Sequence, residues 1–99
     1  MSIQVKFSKF AGSDDIKTSV GGEELIDIEK QENEPNATVY YARVFRFYNE
    51  NAVKVQINGS NTIYLPAGVG FDSDDYTYSA IKSFKIMNSG VKYCFFFEY

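Results

Sequence analysis

The chain has 99 residues, 44% of them hydrophobic and 17% aromatic, with one Cys, no His and a formal net charge of −3. That length supports one domain with an adequate core of its own. A single Cys excludes an intramolecular disulfide, the missing imidazole excludes His-based catalytic arrangements and the usual zinc sites, and no run approaches the ~20 apolar residues of a membrane helix.

Residues 2–10 alternate, with Ile3, Val5 and Phe7 on one face and Gln4, Lys6 and Ser8 on the other, the pattern of a half-buried strand. Gly12-Ser13-Asp14-Asp15 reads as a turn, and residues 16–20 as a short second strand that Gly21-Gly22 breaks. Residues 23–35 admit two readings. Glu23 and Glu24 suit a helix N-terminus, whereas Ile26 and Ile28 share one face of a strand. Because the apolar residues stop at Ile28, strand then loop is preferred. The polar, Pro-containing residues 31–36 read as a surface loop. Residues 21–37 are therefore expected to form an acidic loop or arm on a single domain spanning 1–99. The charge follows this division: residues 1–37 carry eight acids against four Lys, and residues 38–99 five acids against six bases.

Residues 38–48 form the longest β-type run. Its odd positions hold Val39, Tyr41, Arg43, Phe45 and Phe47, and its even positions Tyr40, Ala42, Val44, Arg46 and Tyr48. Both faces are apolar enough for a central strand covered on two sides. After a turn at Asn49-Glu50-Asn51, residues 52–57 direct Val53, Val55 and Ile57 inward. Asn58-Gly59-Ser60-Asn61 is a strong hairpin signal, since Asn and Gly tolerate positive φ. Residues 62–65 return, residues 66–70 turn, and Asp72-Ser73-Asp74-Asp75 is expected to open a loop. Residues 76–88 are extended, with a parity change between Ile81 and Phe84 that predicts a bulge or bend. Asn88-Ser89-Gly90 reads as a short hairpin turn into a last strand, whose core face is Val91, Tyr93, Phe95, Phe97 and Tyr99. About eight strands at this spacing predict an all-β antiparallel sandwich or jelly-roll-like barrel.

No catalytic motif emerges, and the protein is read as non-enzymatic, with no cofactor. Cys94, in mid-strand, is read as an inert thiol. Asp72, Asp74 and Asp75 offer oxygen ligands for Ca²⁺, but their spacing does not fit an EF-hand, and a solvated turn accounts for them. Tyr40, Tyr41, Arg43 and Arg46 combine aromatic and basic groups, yet an acidic chain without a basic stripe argues against nucleic acid.

From residue 42 onward, one pattern of strands and turns stands out. Arg43-Val44-Phe45-Arg46-Phe47-Tyr48-Asn49 leads into Val53-Lys54-Val55-Gln56-Ile57-Asn58-Gly59. Ile63-Tyr64-Leu65-Pro66-Ala67-Gly68 follows, then residues 81–86 and Ser89-Gly90-Val91-Lys92-Tyr93. This order resembles small β-sandwich virion proteins of tailed bacteriophages: head decoration, head–tail connector and tail accessory subunits. The resemblance covers residues 42–99. It implies a structural role in a virion, assembly with copies of itself and other virion proteins, and synthesis in a bacterial host cytoplasm. It implies neither catalysis nor a membrane, nucleic-acid or small-molecule partner. The composition supports the same class, because strands 38–48 and 91–99 leave apolar groups on their second faces, to be covered by a loop or another subunit. Tyr40, Tyr48 and Phe96 are the residues expected at such a contact. Two alternatives are a carbohydrate- or ligand-binding sandwich, calcium-assisted through the Asp72–Asp75 segment, and a small inhibitor that contacts its target through residues 23–34.

Overall fold

The computed structural model describes residues 9–27, 41–74 and 81–99. The strand expected at 2–10, Tyr40, and most of the acidic segment lie outside these residues, apart from 9–10 and 21–27. The described residues form nine strands: β1 (Phe10–Gly12), β2 (Lys17–Thr18), β3 (Glu23–Glu24), β4 (Val44–Asn49), β5 (Val53–Ile57), β6 (Ile63–Leu65), β7 (Phe71–Asp74), β8 (Phe84–Ile86) and β9 (Lys92–Glu98). All pairings are antiparallel. One sheet has the order β1-β9-β4-β7, with β2 also on β9, and the other the order β3-β8-β5-β6. The fold is the all-β sandwich expected from the spacing. No helix among the described residues is long and apolar enough to cross a membrane.

Period-2 alternation selects the core. Phe45 and Phe47 of β4 and Tyr93 and Phe97 of β9 are buried, as are Val53, Val55, Phe84 and Ile86 from the other sheet. Phe84 is the central contact between the layers. Its ring lies 4.7 Å from that of Phe45, 4.8 Å from Phe47 and 5.7 Å from Phe71, within the range of favourable aromatic pairs. Leu25 and Ile26 are also buried, directly after β3. The acidic pair Glu23 and Glu24 is thus a strand of the second sheet.

Three local expectations need correction. Asp72 and Asp74 do not open a loop: they lie in β7, which alternates to send Ser73 inward, with Phe71 half-buried against the core. Asn88-Ser89-Gly90 is not a hairpin turn, because β8 and β9 belong to different sheets and the segment is a corner between layers. Ser19 ties that corner, its hydroxyl donating to the Asn88 carbonyl and accepting the Val91 N–H. Strand β4 is central in its sheet, but only its inner face is buried: Val44 and Arg46 on the other face are half-buried and Tyr48 is exposed.

The parity change after Ile81 has a related cause. Ile81 bridges Ala42, just before β4, whereas Phe84 pairs with Ile57 in the other sheet. The chain changes layers between them, so its inward direction reverses. Asn58 holds this bend, its side-chain oxygen accepting the N–H groups of Lys82 and Ser83.

Candidate functional site

The features of most functional interest lie on the outer face of the five-stranded sheet. In β9, Tyr93, Phe95 and Phe97 point to the core, so Cys94, Phe96 and Glu98 point outward. The register with β4 sets Tyr48 opposite Cys94, Arg46 opposite Phe96 and Val44 opposite Glu98. On the far side of β9, Phe10 lies opposite Glu98 and Gly12 opposite Phe96. Three aromatic side chains on three adjacent strands therefore share one face: Phe10 is 66% exposed, Phe96 47% and Tyr48 45%.

Two devices shape this face. Gly12 lets β1 approach β9 closely, since a Cβ there would sit 2.4 Å from the Phe95 carbonyl oxygen and 2.7 Å from the Phe96 Cβ. Across β9, an open hollow of about 310 Å³ is lined by Ser13 on the β1 side, Cys94 and Phe96 of β9 itself, and Arg46, Tyr48 and Asp72 on the β4 side, among others. The Cys94 thiol is free and half-buried.

The charges on the face are largely satisfied within it. Arg43 pairs with Glu98 at 3.1 Å. The Arg46 guanidinium donates to the Ser73 carbonyl at 3.0 Å and the Phe45 carbonyl at 3.2 Å, and lies 3.9 Å from the Asp72 carboxylate. Neither arginine is presented as a free cation for a phosphate backbone. Asp72 likewise faces a guanidinium, and no group of three or more His, Cys, Asp or Glu among the described residues could hold a metal ion.

The other polar constellations tie the layers together. The Tyr93 hydroxyl donates to Glu23 and links the two sheets across one end of the sandwich. Burial pushes this phenol well above the ordinary tyrosine range, and the Glu23 carboxylate adds to the shift. Glu24 accepts the Ser83 hydroxyl and the N–H groups of Phe84 and Ile26, holding β3 to the start of β8. Asn49 is fully buried. Its amide donates to the carbonyls of Asn51 and Pro66, both at 2.9 Å, and its oxygen accepts the Gly70 N–H at 2.9 Å. No buried side-chain nitrogen or oxygen among the described residues lacks a partner.

Of the three residues expected at a contact, Tyr48 and Phe96 are brought to the same face of adjacent strands, and Tyr40 lies outside the described residues. Phe10 was not among those expected. Its signal was parity: in residues 2–10 the apolar side chains occupy odd positions, and Phe10 falls on the even face with Gln4, Lys6 and Ser8. The chain matches no protein-family model, no curated protein and no solved structure.

Proposed function

We propose that the protein is a non-enzymatic structural subunit of a bacteriophage virion, acting by assembly through the outer face of its five-stranded sheet. The observation that carries the assembly part is the exposure of Phe10, Tyr48 and Phe96 together on adjacent strands. Large aromatic groups in a contiguous patch mark interaction surfaces, and pairing of the neighbouring charges within the sheet lowers the cost of drying it. The virion part rests on the order of strands and turns over residues 42–99, which resembles decoration, connector and tail accessory subunits.

Phe96→Ser separates surface from core. Its side chain points away from the packed interior, so the variant is expected to stay folded, with a urea midpoint near that of the native chain. Co-expression with the genes that flank its own, followed by mass spectrometry of purified particles, should show the native chain incorporated and the variant depleted at least tenfold, as for loss of an interface hot spot. Absence of the native chain from such particles, or flanking genes that encode no capsid, portal or tail component, would count against the reading.

A further inference from the structure

We infer that the open edge of β6 is a strand-addition site, whose occupant is an extended segment of a different protein with apolar and acidic side chains in alternation. The site belongs to the other sheet from the aromatic face described above and does not depend on it.

Backbone hydrogen bonding defines the edge. The Lys54 N–H donates to the Asn88 side-chain oxygen, and the Lys54 carbonyl accepts the Met87 N–H, so both backbone groups of Lys54 point towards β8. In an antiparallel ladder, opposed residues alternate between bonded and non-bonded pairs. Tyr64 lies opposite Lys54 and so forms a non-bonded pair with it, while Ile63 and Leu65, opposite Val55 and Val53, carry the bonds to β5. The N–H and carbonyl of Tyr64 therefore face away from the sheet. No strand among the described residues lies beyond β6.

Charged side chains commonly guard the edges of sheets against pairing. β7 carries Asp72 and Asp74, β3 Glu23 and Glu24, and β2 Lys17, and β1 is bounded by Lys9 and Asp14. β6 has no such guard: no charged residue lies between Lys54 and Asp72, the longest uncharged run in the chain. Ile63 is turned to the core side, as its partner Val55 is, yet Ile63 is 39% exposed while Val55 is fully buried. A strand one spacing further out, about 4.8 Å, would cover it. The inward side chains of the occupant are therefore apolar.

Charge sets the outward side chains. Lys54 and Lys85 are exposed on the outer face of this sheet, and neither makes an ion pair among the described residues. In an antiparallel addition, the residue that exchanges bonds with Tyr64 has its side chain on this same outer face, in one row with Tyr64 and Lys54. It stands two strand spacings, roughly 10 Å, from the β5 backbone, a gap that a Glu and a Lys side chain span together. A carboxylate in that row meets an ammonium group that has no counter-ion of its own. β6 of a second copy brings no acid to the row, so the charges favour a different chain. This is strand addition, in which main-chain bonds supply affinity and alternate side chains supply specificity.

The probe is a short fluorescein-labelled peptide alternating Val and Glu, titrated by anisotropy with the full chain up to roughly 500 µM. Binding should saturate in that range and slow hydrogen exchange at the Tyr64 amide. The same peptide N-methylated on its Glu residues, and a peptide alternating Val and Lys, should each bind at least about tenfold more weakly. Tyr64→Pro removes the outward N–H without touching a bond to β5, and an edge strand tolerates proline. It should keep a urea midpoint near that of the native chain and weaken binding about tenfold or more, whereas Tyr64→Thr, which retains the N–H, should weaken it less than about threefold. Lys54→Glu should weaken it about fivefold or more. No saturable binding, equal binding of the N-methylated peptide, or native affinity in a folded Tyr64→Pro variant would overturn the inference. The N-methylated peptide carries the same test should Tyr64→Pro fail to fold. A concentration-dependent dimer of the free chain that Tyr64→Pro abolishes would assign the edge to a second copy and overturn it too. Phe96→Ser should bind the peptide as the native chain does, which separates this site from the aromatic face.

Discussion

Asn49 offers the sharpest test of how this sandwich is held closed. It ends β4 and is fully buried, yet it is polar, so its value lies in three short hydrogen bonds to two different loops and a longer one, 3.5 Å, to the Leu65 carbonyl. Asn49→Ala removes these bonds and leaves the Gly70 N–H and the carbonyls of Asn51 and Pro66 without their side-chain partner. At about 1 kcal/mol per net hydrogen bond, plus a similar amount for the stranded groups and the small cavity, the loss should be about 3–4 kcal/mol. That is a large part of the 5–15 kcal/mol expected for a domain of this size, approximately. Urea unfolding should show a lower midpoint with an unchanged slope, since the surface exposed on unfolding is the same. Asn49→Asp separates bond direction from volume. The introduced carboxylate could still accept the Gly70 N–H but would face two carbonyl oxygens that need donors. Its pKa in the folded state should therefore rise above the ordinary carboxylate value of about 3.9, so its stability is retained below that pH and lost as pH rises through the folded value. This variant should approach native stability at acid pH relative to the native chain under the same conditions, and the alanine variant should not. A loss below about 1 kcal/mol for the alanine variant, or no pH-dependent difference between the two, would refute the argument.

Tyr93→Phe should cost about 1.5–2 kcal/mol at neutral pH by removing the hydrogen bond to Glu23. The native phenol keeps its proton above the ordinary value of 10.0 and the unfolded chain does not, so native stability should fall as pH rises past 10, and less steeply in the variant when both are titrated by chemical denaturation. Phe84→Ala should lose about 3–5 kcal/mol, because it empties the contact among Phe45, Phe47 and Phe71, while Phe84→Leu should lose distinctly less in the same assay. Gly70→Ala should cost about 2–4 kcal/mol by thermal or urea unfolding: φ is +69° and a Cβ would meet the Phe47 carbonyl oxygen at 2.6 Å. Gly59→Ala, with φ of +72° and open space for its Cβ, should lose only about 1 kcal/mol, which isolates the clash from the backbone strain.

Much of the candidate face was legible in the sequence because β alternation is local. Phe96 interrupts the outward set Lys92, Cys94 and Glu98, and Tyr48 falls on the face opposite Phe45 and Phe47; counting by two finds both. What could not be counted was adjacency. That β9 lies between β1 and β4, and so gathers Phe10, Phe96 and Tyr48 into one patch, depends on pairings between segments more than 40 residues apart in sequence, such as Tyr48 with Cys94.

The asparagines draw the same boundary. Asn49, Asn51, Asn58 and Asn88 sit where short apolar runs end, and their composition alone marks those points as turns. Their side chains also carry the long-range ties. Asn51 accepts the Lys92 N–H, Asn58 those of Lys82 and Ser83, and Asn88 that of Lys54, while Asn49 bonds both the 51 and 66–70 loops. The residue pattern by itself determined the fold class, the breaks between most strands and, in β5 and β9, which side chains face inward, since period and turn chemistry are properties of a few neighbouring residues. Only the tertiary structure decided that 88–90 is a corner between layers rather than a hairpin, that Asp72 and Asp74 belong to a strand, and which backbone each asparagine secures. Those outcomes follow from competition among distant segments for the same hydrogen bonds and the same core volume, which no short stretch of the chain encodes.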